Sequence, residues 1–80
     1  MIRDTPYYAK VAMFLAKMQE GDSFSIRDKV KPENQEMFTM CFREFADIHK
    51  DGAWWWEWDD ENNIIKKHAN AWYKRIKHKL

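Results

Sequence analysis

The sequence has few of the residues that mark several common protein classes. Only one of its 80 residues is cysteine, so no internal disulfide can form, and three scattered histidines do not complete a zinc site with Cys41. Two glycines and two prolines are too few for a disordered or low-complexity chain. No apolar run approaches the roughly 18 residues of a membrane span, and the first residues lack the apolar stretch of a signal peptide. These absences predict a cytoplasmic protein with no metal, no cofactor and no membrane partner.

The chain is nevertheless rich enough in apolar residues to fold. Hydrophobic residues make up 45% of the sequence and aromatic residues 16%. A chain of this length buries roughly 60% of its unfolded surface, which allows one modest core. We therefore predict a single domain over residues 1–80. The sequence also lacks a glycine-rich phosphate loop and a nucleophile with a recognisable base, so we do not expect an enzyme.

A tryptophan-rich stretch at 54–58 provides the clearest structural signal. Aromatic residues favour strands, and a polar, acidic segment separates this stretch from a second short apolar run, as in a hairpin. The two-residue period of a strand places Trp54, Trp56 and Trp58 on one face, and Trp55 with Glu57 on the other. We expect the three-tryptophan face to cover the core and Trp55 to be the exposed aromatic.

The rest of the chain shows helical periodicity. Apolar residues recur at three- and four-residue spacing in two stripes: Tyr8, Val11, Ala12, Phe14, Leu15 and Met18 in the first helix, and Phe38, Cys41, Phe42, Phe45 and Ile48 in the third. Either Asp4 or Thr5 can cap a helix that starts at Pro6, and Gly21 is typical of a helix end. Phe24 is expected to point inward from an extended connector. The predicted order is a helix over 6–20, the connector, a short helix over 26–30, a long helix from Pro32 to about His49, a two-stranded hairpin, and a terminal helix from about Asn70. Trp72, Ile76 and Leu80 share one face of the predicted terminal helix.

This order resembles the winged helix-turn-helix class. The resemblance covers roughly residues 6 to 68 and depends on the segments 24–28 (FSIRD), 31–33 (KPE) and 51–54 (DGAW). It implies an α+β, mainly α fold: a winged-helix-like three-helix core, a C-terminal two-stranded hairpin and a short terminal helix. It also implies a DNA-binding protein, whose third helix usually lies in the major groove.

The third helix does not carry the charge that this docking mode needs. Its outward residues include four acids, Glu33, Glu36, Glu44 and Asp47, and one base, Arg43. Phosphate binding gains affinity from Lys and Arg, so this face would repel DNA. The residues in this helix or just before it that retain the character of groove contacts are Lys31, Asn34, Gln35, Thr39 and Arg43.

Basic residues are instead concentrated at the C-terminus. Residues 64–80 hold six bases and no acid, whereas 31–63 hold three bases and nine acids. We expect nucleic acid, duplex DNA in particular, to bind a basic wing strand and terminal helix. The residues are Lys66, Lys67, Lys74, Arg75, Lys77 and Lys79. The alternative for this cluster is a solvated helical face without a ligand.

A second functional class stays open beside a transcriptional or recombination accessory. The acidic third helix suits a protein partner, or an inhibitor of the kind found in phages, which offers a negative surface where nucleic acid would normally bind. The residues for this role are Glu36, Met40, Glu44, Asp47 and Trp55. A protein partner includes a second copy of this chain in a homodimer.

Overall fold

Helices and a small sheet alternate along the structure, a computed structural model that describes residues 1–79. In chain order the elements are α1 (Pro6–Lys17), β1 (Ser23–Ser25), α2 (Ile26–Lys29), α3 (Gln35–Ile48), β2 (Trp54–Asp59), β3 (Ile64–Ala69) and α4 (Ala71–Lys79), with 3₁₀ turns over Ile2–Asp4 and Pro32–Asn34. The predicted α+β class with mainly helical content is confirmed. Thr5 caps α1, since its hydroxyl accepts a hydrogen bond from the Tyr8 N–H at 3.2 Å.

The sheet has three antiparallel strands rather than the two that the sequence predicts. β2 and β3 form the expected hairpin, and β1 pairs with the other edge of β3, which gives the order β1–β3–β2. The two-stranded prediction was wrong because Ser23–Ser25 is too short to show a two-residue period, although its extended conformation was expected. Phe24 lies opposite Ile65 of β3 and packs against the core.

The tryptophan faces of β2 are as predicted. Trp56 is only 9% exposed and packs edge-on against Phe45 of α3, with ring centroids 4.9 Å apart. Trp54 and Trp58 are partly buried against the same core. Trp55 is 38% exposed on the opposite face. The sheet therefore covers one side of a body whose other side is made by helices.

Helices α1 and α3 supply most of the remaining core. The residues buried from these two helices recur at three- and four-residue spacing, as the predicted stripes require. They are Val11, Leu15, Phe38, Cys41, Phe42 and Phe45. Two residues of the predicted stripes are exposed: Phe14 of the first helix is 38% exposed, and Ile48, which ends the stripe of the third helix, is 45% exposed. Met18 and Ile26, beyond the end of α1 and at the start of α2, complete the buried cluster with Trp56 and Ile65 of the sheet.

Helix α1 ends at Lys17, three residues before the predicted end. Met18 leaves helical geometry with ψ at 144°, and the side chain of Asp22 accepts a hydrogen bond from the Gln19 N–H at 2.9 Å. Gly21 does adopt the left-handed conformation expected of it, with φ at +88°. It lies in the turn before β1, however, where its N–H donates to the carbonyl of Lys67 at 2.8 Å.

The early end of α1 is explained by Lys67, a lysine of β3 that is 4% exposed. Its Nζ donates to the carbonyl oxygens of Ala16 at 3.0 Å and Met18 at 2.5 Å. The last carbonyls of a helix have no partner within the helix and carry partial negative charge, so a buried cation is well placed there. The same Nζ lies 4.8 Å from the ring centroid of Trp54 and 5.4 Å from that of Trp56.

The prediction that Lys67 contacts nucleic acid is therefore corrected. A buried amine that already donates two hydrogen bonds cannot reach a phosphate. Burial lowers the pKa of Lys67, and the charge of Asp22 opposes that shift. The two-residue period of a strand places Lys67 on the same face of β3 as Ile65 and Ala69. Their partners across the β2–β3 pair are Trp58, Trp56 and Trp54, so this face is the one that covers the core.

The inward position of Trp56 predicts a large loss of stability on truncation. We expect Trp56→Ala to lower the free energy of unfolding by roughly 3–5 kcal/mol, because it leaves a cavity under the sheet. Trp55→Ala removes the same ring from the outer face, where it loses a stacked pair worth about 0.5–1.5 kcal/mol. Chemical denaturation measures both, and equal losses would contradict the assignment of the two faces.

The role of Lys67 can be tested by a swap that keeps its volume and removes its charge. We expect Lys67→Met to cost roughly 1–3 kcal/mol of unfolding free energy, because two buried carbonyls lose their donor. Lys66→Met, one position away on the solvent face, should change stability by no more than about 0.5 kcal/mol. Similar effects for the two variants would show that the buried amine does not hold the end of α1.

Candidate functional site

The positive charge that remains accessible is concentrated on α4. This nine-residue helix contains no acid, and its four cationic side chains are exposed: Lys74, Arg75, Lys77 and Lys79. Within residues 1–79, the one ion pair that these four make joins Lys74 to Glu20, with the charged atoms 3.5 Å apart. Exposed pairs of this kind contribute little, so most of the charge of α4 is available to an anionic ligand.

The start of α4 is fixed to the body by Asn70. The backbone N–H of Asn70 donates to the carbonyl of Ala53 at 2.9 Å, and its side-chain amide donates to the carbonyls of Lys50, at 3.3 Å, and Gly52. The carbonyl of Asn70 in turn accepts from the Lys74 N–H at 3.0 Å, which begins the helix. These bonds set the direction in which the cationic residues leave the body.

Beyond its first turn α4 makes little contact with the core. Tyr73 packs on Trp54 with ring centroids 5.2 Å apart, but no residue of α4 is buried. Trp72 is 43% exposed and Ile76 50% exposed, so the apolar face predicted for this helix does not bury against the body. Leu80, the third residue predicted for that face, lies outside the described residues. The helix presents an aromatic ring and an aliphatic side chain next to its charges.

Lys66 lies on the outer face of the sheet, near side chains whose contacts with one another the sequence analysis did not predict. It is directly opposite Glu57 across the β2–β3 pair. His68 Nε2 lies 2.7 Å from Glu57 Oε1, and the His68 ring stacks on Trp55 with centroids 4.5 Å apart and an interplanar angle of 19°. Lys66 is therefore accessible but faces a carboxylate, and one side of the Trp55 ring is covered by His68.

The five residues predicted as groove contacts near the third helix do not form one open surface. Gln35 donates through its side-chain amide to the carbonyls of Val30 at 2.9 Å and Arg27 at 3.1 Å, so it caps the end of α2. The Arg43 guanidinium lies 5.7 Å from the ring centroid of Trp58, and Thr39 is half-buried. Lys31, just before the 3₁₀ turn, and Asn34, at its end, are exposed, as is Arg43.

The residues predicted for protein interaction are divided by the sheet. Met40 of α3 is 50% exposed, and Glu36 and Asp47 are exposed near it on the same helix. Glu44 Oε1 lies 3.2 Å from Arg3 Nε, which neutralises part of this acidic face. Trp55 is on the far side of the sheet from α3, so it does not share a surface with Met40.

A shallow groove of about 670 Å³ runs between α3 and β2. Phe42 and Ala46 line it from the helix, and Trp56 and Trp58 line it from the strand. The Nε1–H of Trp56 is buried and has no acceptor within residues 1–79, an arrangement that costs free energy in the absence of a partner. Sequence analysis missed this groove because its two walls are on different elements.

The hairpin turn at the end of the sheet is acidic and well ordered. The Asp59 carboxylate accepts from the backbone N–H of Asn62 at 3.2 Å and from its side-chain amide at 2.9 Å. These hydrogen bonds lower the pKa of Asp59, so its negative charge persists. Arg27 donates to the carbonyl of Glu61 at 3.0 Å and ties the turn to α2. A turn of this charge is unsuited to phosphate.

Neither a reactive thiol nor a cluster of metal ligands occurs in the described part of the chain. Cys41 is fully buried, and burial raises the pKa of its thiol, which keeps it protonated and unreactive. Within residues 1–79 no three His, Cys, Asp or Glu side chains cluster closely enough to hold a metal ion, and no helix has the length and apolar content to cross a membrane.

Comparison with protein-family models, curated proteins and solved structures finds no match.

Proposed function

We propose that the protein is a small winged-helix domain that binds duplex DNA through α4, with Lys66 as an additional contact. The observation that carries this proposal is the cationic surface of α4: four exposed Lys and Arg side chains, no acid and, among residues 1–79, one weak ion pair. A surface that neutralises phosphates releases counterions, which supplies affinity without base-specific contacts. A role as a transcriptional or recombination accessory fits this mode of binding.

The arrangement of elements supports the winged-helix assignment. Helices α2 and α3 meet across a turn that contains Pro32, and β2 and β3 follow α3 as a two-stranded wing whose inner strand pairs with β1. In that class the third helix usually enters the major groove. Here the exposed face of α3 is acidic and Gln35 is engaged in capping α2, so we place the DNA at the other end of the chain.

The dimensions of α4 suit a backbone contact. Nine residues at about 1.5 Å per residue give a helix roughly 13 Å long, which is enough to pass several phosphates of one strand, spaced at about 3.4 Å along the duplex axis. Because the Asn70 side chain hydrogen-bonds to the body, the start of α4 has a fixed position relative to the rest of the fold. Trp72, exposed beside the charges, offers a ring that can stack on an unpaired base at a duplex end.

Affinity for duplex DNA should fall steeply as salt rises if α4 is the binding surface. Each of Arg75→Ala and Lys77→Ala should weaken binding and reduce the log–log salt slope by about one unit, because each removes one phosphate contact. Lys74→Ala should reduce the slope by less, since Lys74 is paired with Glu20. Fluorescence anisotropy of a labelled duplex across a salt series measures these slopes.

Lys10→Ala is the matched control, because Lys10 is an exposed lysine of α1. It removes the same charge from the protein and should leave the salt slope unchanged. Absence of binding at low salt would overturn the proposal. If Lys10→Ala lowered the salt slope as much as the α4 variants do, the loss would reflect net charge alone, and the assignment of binding to α4 would also be overturned.

The second candidate function is a protein-interaction module, or an inhibitor that presents an acidic surface. One observation favours it: Met40 is half exposed and lines the groove between α3 and β2, with Glu36 and Asp47 exposed on the same helix. Partly exposed methionines are common at binding surfaces because their side chains adapt in shape. Under this alternative the α4 charges are a solvated face, and no DNA binding is expected at any salt concentration.

A further inference from the structure

The outer edge of β2 is open. In the order β1–β3–β2, the sheet formed by the described residues 1–79, this strand has a neighbour on one side only. The Asn70 N–H donates to the Ala53 carbonyl, so the backbone groups of Ala53 point toward β3. Because this direction alternates along an antiparallel strand, every second residue after Ala53 also points its N–H and C=O groups toward β3. The alternate residues Trp54, Trp56 and Trp58 must then direct their N–H and C=O groups away from β3, to the open side. An edge of this kind is a ready template for another strand.

The same residues that present this edge also line the groove. The side chains of Trp56 and Trp58 form one wall, while Met40, Phe42 and Ala46 of α3 contribute to the other. A strand added to β2 would place alternate side chains on the face where these tryptophans lie, and so in the groove. Backbone pairing and apolar side-chain binding are therefore available to one extended segment at one place.

The charge around the edge restricts the partner. From 51 to 65 the chain has five acids and no base. The acids are Asp51, Glu57, Asp59, Asp60 and Glu61. The helical wall of the groove carries both signs, since Glu44 and Asp47 line it together with Arg43 and Lys50, and Lys50 Nζ lies 3.8 Å from Asp47 Oδ1. The excess of negative charge therefore comes from the strand side. A second copy of β2 would bring its own Glu57 and Asp59 against those of the first, with the acids of the flanking segments close by, and like charges on adjacent strands are unfavourable. The edge instead matches a segment that carries Lys or Arg.

We propose that the open edge of β2 and the groove between α3 and β2 bind an extended segment of another protein in which apolar residues alternate with Lys or Arg. The segment joins the sheet as a fourth, antiparallel strand. Its apolar side chains enter the groove, and its basic side chains lie on the outer face near Glu57 and Asp59. This surface is separate from α4, and the proposal goes beyond nucleic-acid binding without depending on it.

Antiparallel pairing predicts which peptide amides matter. A residue that hydrogen-bonds to Trp56 lies directly opposite it and points its side chain to the same face, into the groove. In a short fluorescent peptide of alternating valine and lysine, the valine amides must therefore face β2. Methylation of the valine amides should weaken binding by about tenfold or more, whereas methylation of the lysine amides should leave it largely unchanged.

Anisotropy titrations of this peptide with the full chain provide the test, with an alternating valine and glutamate peptide as the charge control. The wild-type protein should bind the lysine peptide and not the glutamate peptide. Glu36→Lys combined with Asp47→Lys should weaken binding of the lysine peptide by about tenfold, since Asp47 lines the groove and Glu36 lines a smaller cavity that shares Met40 with it. Glu20→Lys combined with Asp28→Lys makes the same change in net charge away from the groove and should have little effect.

Several outcomes would overturn the proposal. They are no binding of the lysine peptide, equal effects of the two methylation patterns, equal effects of the two double variants, or self-association of the protein through β2 in sedimentation experiments. Circular dichroism establishes that each double variant is folded before its titration is interpreted. Because the DNA titrations use α4 variants, failure of either surface leaves the result for the other intact.

Discussion

The fold depends on a buried cation that joins its helical and sheet parts. Lys67 belongs to the middle strand, yet its amine donates to the last carbonyls of α1 and lies against two indole rings of β2. A buried ammonium group is tolerated when its donors are paired, and here the helix end supplies acceptors that need a donor. One side chain thus sets the end of the first helix, the position of the sheet beneath it and the packing of two tryptophans.

This interaction has consequences for the surfaces. Because Lys67 serves the interior, the positive charge of residues 64–79 on the outside belongs to α4 and to Lys66, and Lys66 faces Glu57. The acids, in contrast, are mostly outside, along α3 and around β2. The molecule therefore offers a cationic helix at one end and an acidic, partly apolar edge beside α3. These two surfaces suit two ligands of opposite charge.

Local patterns in the sequence were sufficient to predict much of the fold. The faces of β2 and the buried stripes of α1 and α3 follow from two-residue and 3.6-residue periods, which depend on neighbours a few positions apart. The start of α1 at Pro6 follows from Thr5, whose cap bond is also local. Such features can be predicted because the residues that cause them are contiguous.

Features that depend on distant residues could not be predicted in this way. β1 is three residues long and exists because it pairs with β3, about forty positions later. The strand period places Lys67 on the inner face with Ile65, but its acceptors are carbonyls 49 and 51 positions before it and cannot be identified from neighbouring residues. Gln35 seemed free to read a base edge, but it caps a neighbouring helix. The groove between α3 and β2 likewise arises only from packing.

The most direct test of this account is the NMR spectrum of the lysine side chains. An amine held within 4.8 and 5.4 Å of two indole centroids should bring the ε-methylene protons of Lys67 into strong ring-current fields. We predict one lysine ε-methylene signal shifted clearly upfield of all others, lost in Lys67→Met and retained in Lys66→Met. A spectrum in which every lysine ε-methylene resonates at the ordinary solvent-exposed position would contradict the buried cation and the fold built around it.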